Sequence, residues 1–320
     1  MTVLKKKLIA LWTATFCVLA ACSTTSETEV TAGAAGELVN YGVLVMAHGG
    51  GEKWNAAVIA AVQELESRYP TEIAFGMADA HSMEEAVRKL EQQGVEHVGV
   101  VRLFVSGESW YERTEQILGM TAGAPDKQVA MANEGDGHMG GMRMGFWQID
   151  TDIQFHLSEE GLADAQEMDA VLTSRISALS RDPRNEVVVV LAHGPGDDAE
   201  NTRWIEKISA RTDSARNSIG VADVRVFTLR EDWQAKREEA ETEIRAYMRA
   251  AQETGKQVLV IPYRVMGFGP YHEVLEGLNY RADETGLLPH ENVDLWMLNQ
   301  ARELGQIAQE HHVELIAAMQ

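Results

Sequence analysis

"VVVVLAHGPGDD" (187–198) is an unbroken aliphatic run that stops at a histidine followed by glycine, and "VLVMAHGGGEKW" (43–54) does the same far upstream. Short runs this apolar read as strands buried on both faces, the pattern of a parallel sheet covered by helices. What lies between them supports that reading. The segment Trp54 to Tyr69 puts Val58, Ile59, Val62 and Leu65 on one helical face, "EIAFGM" reads as a second strand, and Ser82-Met-Glu-Glu85 as a capping box for a helix stopping at Gly94. "HVGVVRLFV" is a third strand.

The second run starts the same scheme again: "EVVVVLA", a helix from about Ala199 to Thr212, strand "DVRVFTL", a charged helix from Trp233 to Glu253, and strand "QVLVIPYRV". Laying "RLFVSGESWYERTEQIL" over "PYRVMGFGPYHEVLEGL" pairs Gly107 with Gly267, Tyr111 with Tyr271 and Glu112 with His272. The expected fold is therefore α/β, two similar doubly wound parallel-sheet lobes facing a central cleft. The expected lobes are residues 38–158 and 159–320.

Ligands of open α/β sheets bind beyond the carboxyl ends of the strands, which is where both Ala-His-Gly motifs fall. His48 and His193 are thus candidate ligands, with Gly49 and Gly194 letting backbone approach a flat molecule or turn tightly. Glu112 and His272 occupy matching places after the third strand of each half. Imidazole with carboxylate and no thiol suits zinc, cobalt, iron or nickel. Neither strand carries a Gly-x-Gly-x-x-Gly or Walker motif, so no nucleotide is expected.

The chain is 320 residues long, and its formal charge of −21 repels a phosphate backbone, which excludes nucleic acid as a partner. The first residues follow a different logic. Three lysines precede "LIALWTATFCVLAAC", the length of a signal h-region and short for a membrane span. Leu19-Ala20-Ala21-Cys22 resembles a bacterial lipobox. By that resemblance residues 1–21 are a signal peptide, Cys22 is lipidated, and the mature chain is a membrane-anchored lipoprotein outside the cytoplasm, on the periplasmic side. Cys17 leaves with the signal, so no internal disulfide is available. Losing the three leader lysines takes the charge to −24. Residues 22–37, poor in large apolar side chains, read as a flexible tether.

"LVMAHGG" with "SMEEAVRKLEQQGVEHVGVVRLFVSGE", "VVVLAHGPGDD" with "VIPYRVMGFGPYHEVLEGL", and "TGLLPHENV" resemble the sirohydrochlorin cobaltochelatases and their ferrochelatase-fold relatives, over most of residues 40–298. The resemblance implies an ATP-independent lyase that inserts a divalent metal, Co2+ or Fe2+, into a tetrapyrrole such as sirohydrochlorin. It makes His193 and His272 the two metal-binding, catalytic histidines, and Glu112 the acid from the opposite lobe, with His48 a further ligand. Gly49, Gly194, Trp110, Phe268, Tyr271 and Arg264 become substrate contacts. Arg102, Arg113 and Arg281 join Arg264 as bases that could meet substrate carboxylates in an acidic protein. The first half departs from the family, having Ser109-Trp110 and Glu112 where single-lobe relatives keep a histidine. The second half is therefore expected to lead. The alternative is a non-catalytic carrier of metal or haem on a degenerate chelatase fold; assembly of copies is compatible with either.

Two further clusters stand outside this scheme. His138, Met139, Met142 and Met144 lie in a Gly-rich segment and read as a loop tip or lid. His311 and His312, about 100° apart on a helix, cannot both face one ion and read as a solvated helix end.

Overall fold

The computed structural model describes residues 39–132 and 144–319. The signal, the tether, Cys22 and the His138–Met142 loop lie outside the described residues.

The first half runs β1 (Tyr41–Ala47), α1 (Glu52–Glu66), β2 (Thr71–Phe75), α2 (Ala80–Gln92), β3 (His97–Leu103), α3 (Tyr111–Ile117), α4 (Lys127–Ala132) and β4 (Gln154–Leu157). After α5 (Glu167–Leu179) the second half runs β5 (Glu186–Ala192), α6 (Asp198–Ile219), β6 (Asp223–Thr228), α7 (Gln234–Glu253), β7 (Gln257–Tyr263), α8 (Tyr271–Val274), β8 (Tyr280–Ala282) and α9 (Glu291–Met319). Each half builds a four-stranded, all-parallel sheet, in the orders β2-β1-β3-β4 and β6-β5-β7-β8. The lobes thus share one topology, with the direction of winding reversing between β1 and β3 and between β5 and β7.

Strand alternation explains how the layers form. Val43, Val45 and Ala47 face one core and Leu44 and Met46 the other; Val188, Val190 and Ala192 face that first core too, while Val187, Val189 and Leu191 face away. The inner faces of both sheets therefore share one apolar cluster, to which α1, α5, α6 and α9 contribute. The outer faces are closed separately by α2 and by α7. Tyr263 Oη donates to the Leu162 carbonyl at 2.8 Å, and Tyr41 Oη to Ala301 at 2.7 Å, tying α9 back onto the first lobe. Among the described residues no helix is long and apolar enough to cross a membrane.

Three local expectations are corrected. The cap of α2 is Asp79, whose side chain accepts from Ser82 N at 3.1 Å, so the helix starts at Ala80 and Ser82-Glu85 is no capping box. Helix α6 continues past Thr212 to Ile219, because the residue that ends it is Gly220 in the left-handed conformation. The third concerns His311 and His312. His312 is half-buried with its Nε2 out of solvent and its ring edge-on to His97, whereas His311 is exposed as expected, although its ring also meets that of His156.

Candidate functional site

His48 and His193 each follow the last residue of the first strand in their lobe, at the point where the winding reverses. The next residue is a glycine with φ near +80° in both cases. At Gly194 a Cβ would meet Thr228 Cβ at 2.5 Å, so both the turn and the neighbouring strand require glycine. These two facts account for Gly49 and Gly194 without a ligand. The tight turn also brings the glycine carbonyl onto the ring: His48 Nδ1 lies 2.7 Å from Gly49 O and His193 Nδ1 2.8 Å from Gly194 O. Donation from Nδ1 to that carbonyl leaves Nε2 with its lone pair facing outward, the tautomer a metal or a proton can use.

The two histidines differ in what faces Nε2. In the second lobe the segment after β6 supplies Asp232, 3.2 Å from His193 Nε2, and Glu231 at 3.9 Å. Glu231 is held from behind by an ion pair with Arg264. Arg230, left-handed at φ 58°, donates to the carbonyls of Pro195 and Gly196 and pairs with Asp198, while its own N–H donates to His193 O at 2.7 Å. The histidine loop and the acidic loop are thereby locked together. Among the described residues no carboxylate is paired with His48.

The expected set His193, His272 and Glu112 is not assembled around one point; among the described residues no three His, Cys, Asp or Glu side chains stand as a ligand group. Each has its own surroundings. His272, 56% exposed on α8, lies 3.4 Å from Glu284 and 3.4 Å from Tyr280 Oη, with its ring 4.7 Å from that of Phe268. Glu112 accepts from Gln116 at 3.1 Å and lines a cavity of about 620 Å³ with Glu108, Glu159, Glu160, Asp164, Tyr111 and Lys207. That cavity joins the first lobe to α6, where Arg203 pairs with Glu108 at 2.5 Å. Its lining is acidic enough to attract a divalent cation and to repel a polycarboxylate. Burial, with Glu303 and Asp164 nearby, pushes the Glu160 carboxyl above its ordinary range.

Most of the expected substrate contacts are structural. Tyr271 is fully buried and Phe268 nearly so, both in the outer core of the second sheet, and Trp110 packs on that of the first. Arg102, 1% exposed, donates to the carbonyls of Ser158, Ser109 and Gly107 and stacks over Tyr111 at 4.6 Å. Arg113 donates to Ala78 and Gly145, and Arg281 to Leu179 and Glu186. All four arginines are engaged: Arg102 and Arg113 by carbonyls of turns beyond strand ends, Arg281 by the end of α5 and Glu186, and Arg264 by Glu231. Glu231 and Asp232, the acids that do face His193, went unread in the sequence. The repeat offers a signal for them: Asp232 lies as far past β6 as Asp79 past β2.

Residues 42–138 match the CbiX family model. Among solved structures, SirB from Bacillus subtilis with Fe3+ is 16% identical, with a TM-score of 0.57 over 83% of this chain and 96% of that one. The sirohydrochlorin chelatase SirB from Bacillus subtilis subspecies spizizenii, in complex with cobalt, is 15% identical, with a TM-score of 0.54 over 84% and 96%. DR2241 from Deinococcus radiodurans, a multi-domain protein with structural similarity to chelatases, is 15% identical at a TM-score of 0.50, over 83% of this chain and 55% of its own. No curated protein sequence matches. The fold is that of the CbiX and sirohydrochlorin chelatases.

Proposed function

We infer that this chain is a metal chelatase of the sirohydrochlorin chelatase type, acting on a divalent ion, cobalt or iron, and a tetrapyrrole. The observation that carries the reading is His193. It stands at the winding reversal of a chelatase fold with Nδ1 tied to Gly194 O and Nε2 facing Asp232 and Glu231. The ions in the SirB structures, Fe3+ and cobalt, support the choice of metal.

The chemistry asks little of the protein. The macrocycle loses two pyrrole protons, the ion loses its water ligands, and metal–nitrogen bonds replace N–H bonds. His193 and Asp232 would meet the ion first, imidazole nitrogen and carboxylate oxygen suiting either metal, with Glu231, held beside the ring by Arg264, joining them only when the ion draws it in. His272, exposed past β7 on the same carboxyl edge, takes one pyrrole proton rather than a place in the ligand set, and the second passes to solvent. Glu112 and its acidic neighbours line the cavity through which a cation is drawn toward the lobes. Nothing in this scheme requires ATP.

The test is absorbance spectroscopy of purified protein with sirohydrochlorin and Co(II), against the same mixture without protein. A chelatase raises the rate and His193→Ala loses the gain. A parent rate equal to the uncatalysed one, with metal or haem still bound, leaves the carrier reading. Lipid anchoring at Cys22 belongs to the same proposal, and Cys22→Ala should move the protein from the membrane fraction to the soluble one. A variant that still pellets with membranes removes the anchor from it.

A further inference from the structure

Four histidines meet at the end of the first sheet opposite His48. His97 opens β3, His156 lies on β4, and His311 and His312 come from the last turns of α9. His97 Nδ1 and His156 Nε2 are 3.2 Å apart, their planes 8° from parallel and their centroids 5.5 Å apart. The centroid distance equals the N···N contact plus both ring radii, so the rings meet edge to edge in one plane. That is a hydrogen bond with one shared proton, not two lone pairs turned toward an ion. The His312 ring stands 5.6 Å from His97 and the His311 ring 6.0 Å from His156, both edge-on. His97 is 4% exposed, and His312 Nε2 is buried without a hydrogen-bond partner.

We propose that these four imidazoles form an acid-sensitive latch, holding the end of α9 against β3 and β4 while they are neutral and releasing it when they are protonated. The charges around them favour release. Glu96, next to His97, is the one carboxylate acting on the cluster from the sheet; on α9 exposed Glu310 and Glu314 flank the pair. Beside His97 on β1, Tyr41 is engaged with the Ala301 carbonyl and kept protonated by burial. Up to four positive charges would therefore gather within one ring spacing of each other in a partly dry site, and a doubly protonated His97–His156 pair would set N–H against N–H.

The linkage has a definite sign. Burial, then the neighbouring imidazoles, holds His97 below the ordinary histidine range and brings His156 down to about 4. A detached helix end restores the ordinary value of about 6.5, so the open state binds more protons between these limits. Docking is complete above about pH 6.5 and is lost progressively as pH falls toward 4.

Hydrogen exchange of residues 306–318 in the full chain, corrected for intrinsic rates, reads the latch at pH 7.5 and pH 4.5. Protection should drop about tenfold or more on acidification while that of β5 holds, and in the His97→Gln/His156→Gln double variant, which removes the two groups that carry the linkage, the drop should shrink to about threefold or less. Equal drops in parent and variant, or none in the parent, overturn the proposal. Imidazole NMR titration of the parent checks it without relying on the variant: two of the four cluster resonances should titrate below the ordinary histidine range, and their titrating within it would overturn the proposal.

Discussion

The two strand-end histidines differ in the loop opposite, not in the scaffold that holds them. Both follow the same strand of the same 2-1-3-4 sheet, and both put Nδ1 on the carbonyl of a left-handed glycine. Four residues past β6 stands Asp232, with Glu231 before it, and both face His193. Four residues past β2 stands Asp79, and its carboxylate is turned inward: Oδ2 accepts from Ser82 N at 3.1 Å and Oδ1 from Gly145 N at 2.6 Å. The two lobes place an acid at the same offset from the strand; the direction it faces decides whether it can take part in chemistry.

The largest effect should come from the histidines themselves. His193→Ala should lower metal insertion by about 100-fold or more, since loss of a ligand should exceed the roughly 10- to 100-fold of an outer-shell loss. His48→Ala should leave the rate within about threefold of the parent. Equal losses would mean that the two lobes share the chemistry.

Next come the acids. Asp232→Asn and Glu231→Gln should each weaken Co(II) binding about 10- to 100-fold by calorimetry, while Arg264→Met, which frees Glu231 from its ion pair, should weaken it less. Unchanged affinity in both acid variants would return Glu231 and Asp232 to the ordinary surface.

His272→Ala sharpens the same comparison within the second lobe. As a proton acceptor outside the ligand set it should lower the insertion rate by about tenfold, below the usual range of general-base effects because solvent can take the proton at this exposed position, with Co(II) affinity within about twofold of the parent. A parallel loss of affinity would restore His272 as a ligand, and no change in either would make it a surface residue.

The scaffold was legible because it is periodic. Aliphatic runs, helical stripes and the second Ala-His-Gly specify strands, helices and repetition from local chemistry alone. The site was legible only where glycine marks it. In a chain with 49 acidic residues nothing local distinguishes Glu231 and Asp232 from solvated carboxylates. Arg102 and Arg264 read as surface bases because the carbonyls and the carboxylate that engage them come from turns that exist only once the sheet has formed. His97, His156, His311 and His312 are joined by long-range packing from three elements, so no spacing rule could bring them together.

The smallest effect tests the inward acid. Asp79 caps α2 and anchors Gly145, so Asp79→Ala removes a helix cap and a side-chain anchor and should cost about 1 to 2 kcal/mol of stability. In a chain of this size that lowers the melting temperature by only a few degrees. Asparagine also caps helices, so Asp79→Asn should recover the cap's share of the loss, since Ser82 N donates equally well to an amide oxygen, but not the Gly145 contact, where an NH2 would face an N–H. Neither variant should change the insertion rate by more than about twofold at a temperature where both remain folded, because the carboxylate's charge is not used. The carboxamide variant is the decisive one. It keeps the cap while removing the charge and the acceptor for Gly145 N, so a folded Asp79→Asn protein that had lost activity when Asp79→Ala had not would show the first-lobe acid acting as more than an anchor, and the asymmetry between His48 and His193 would then need another cause.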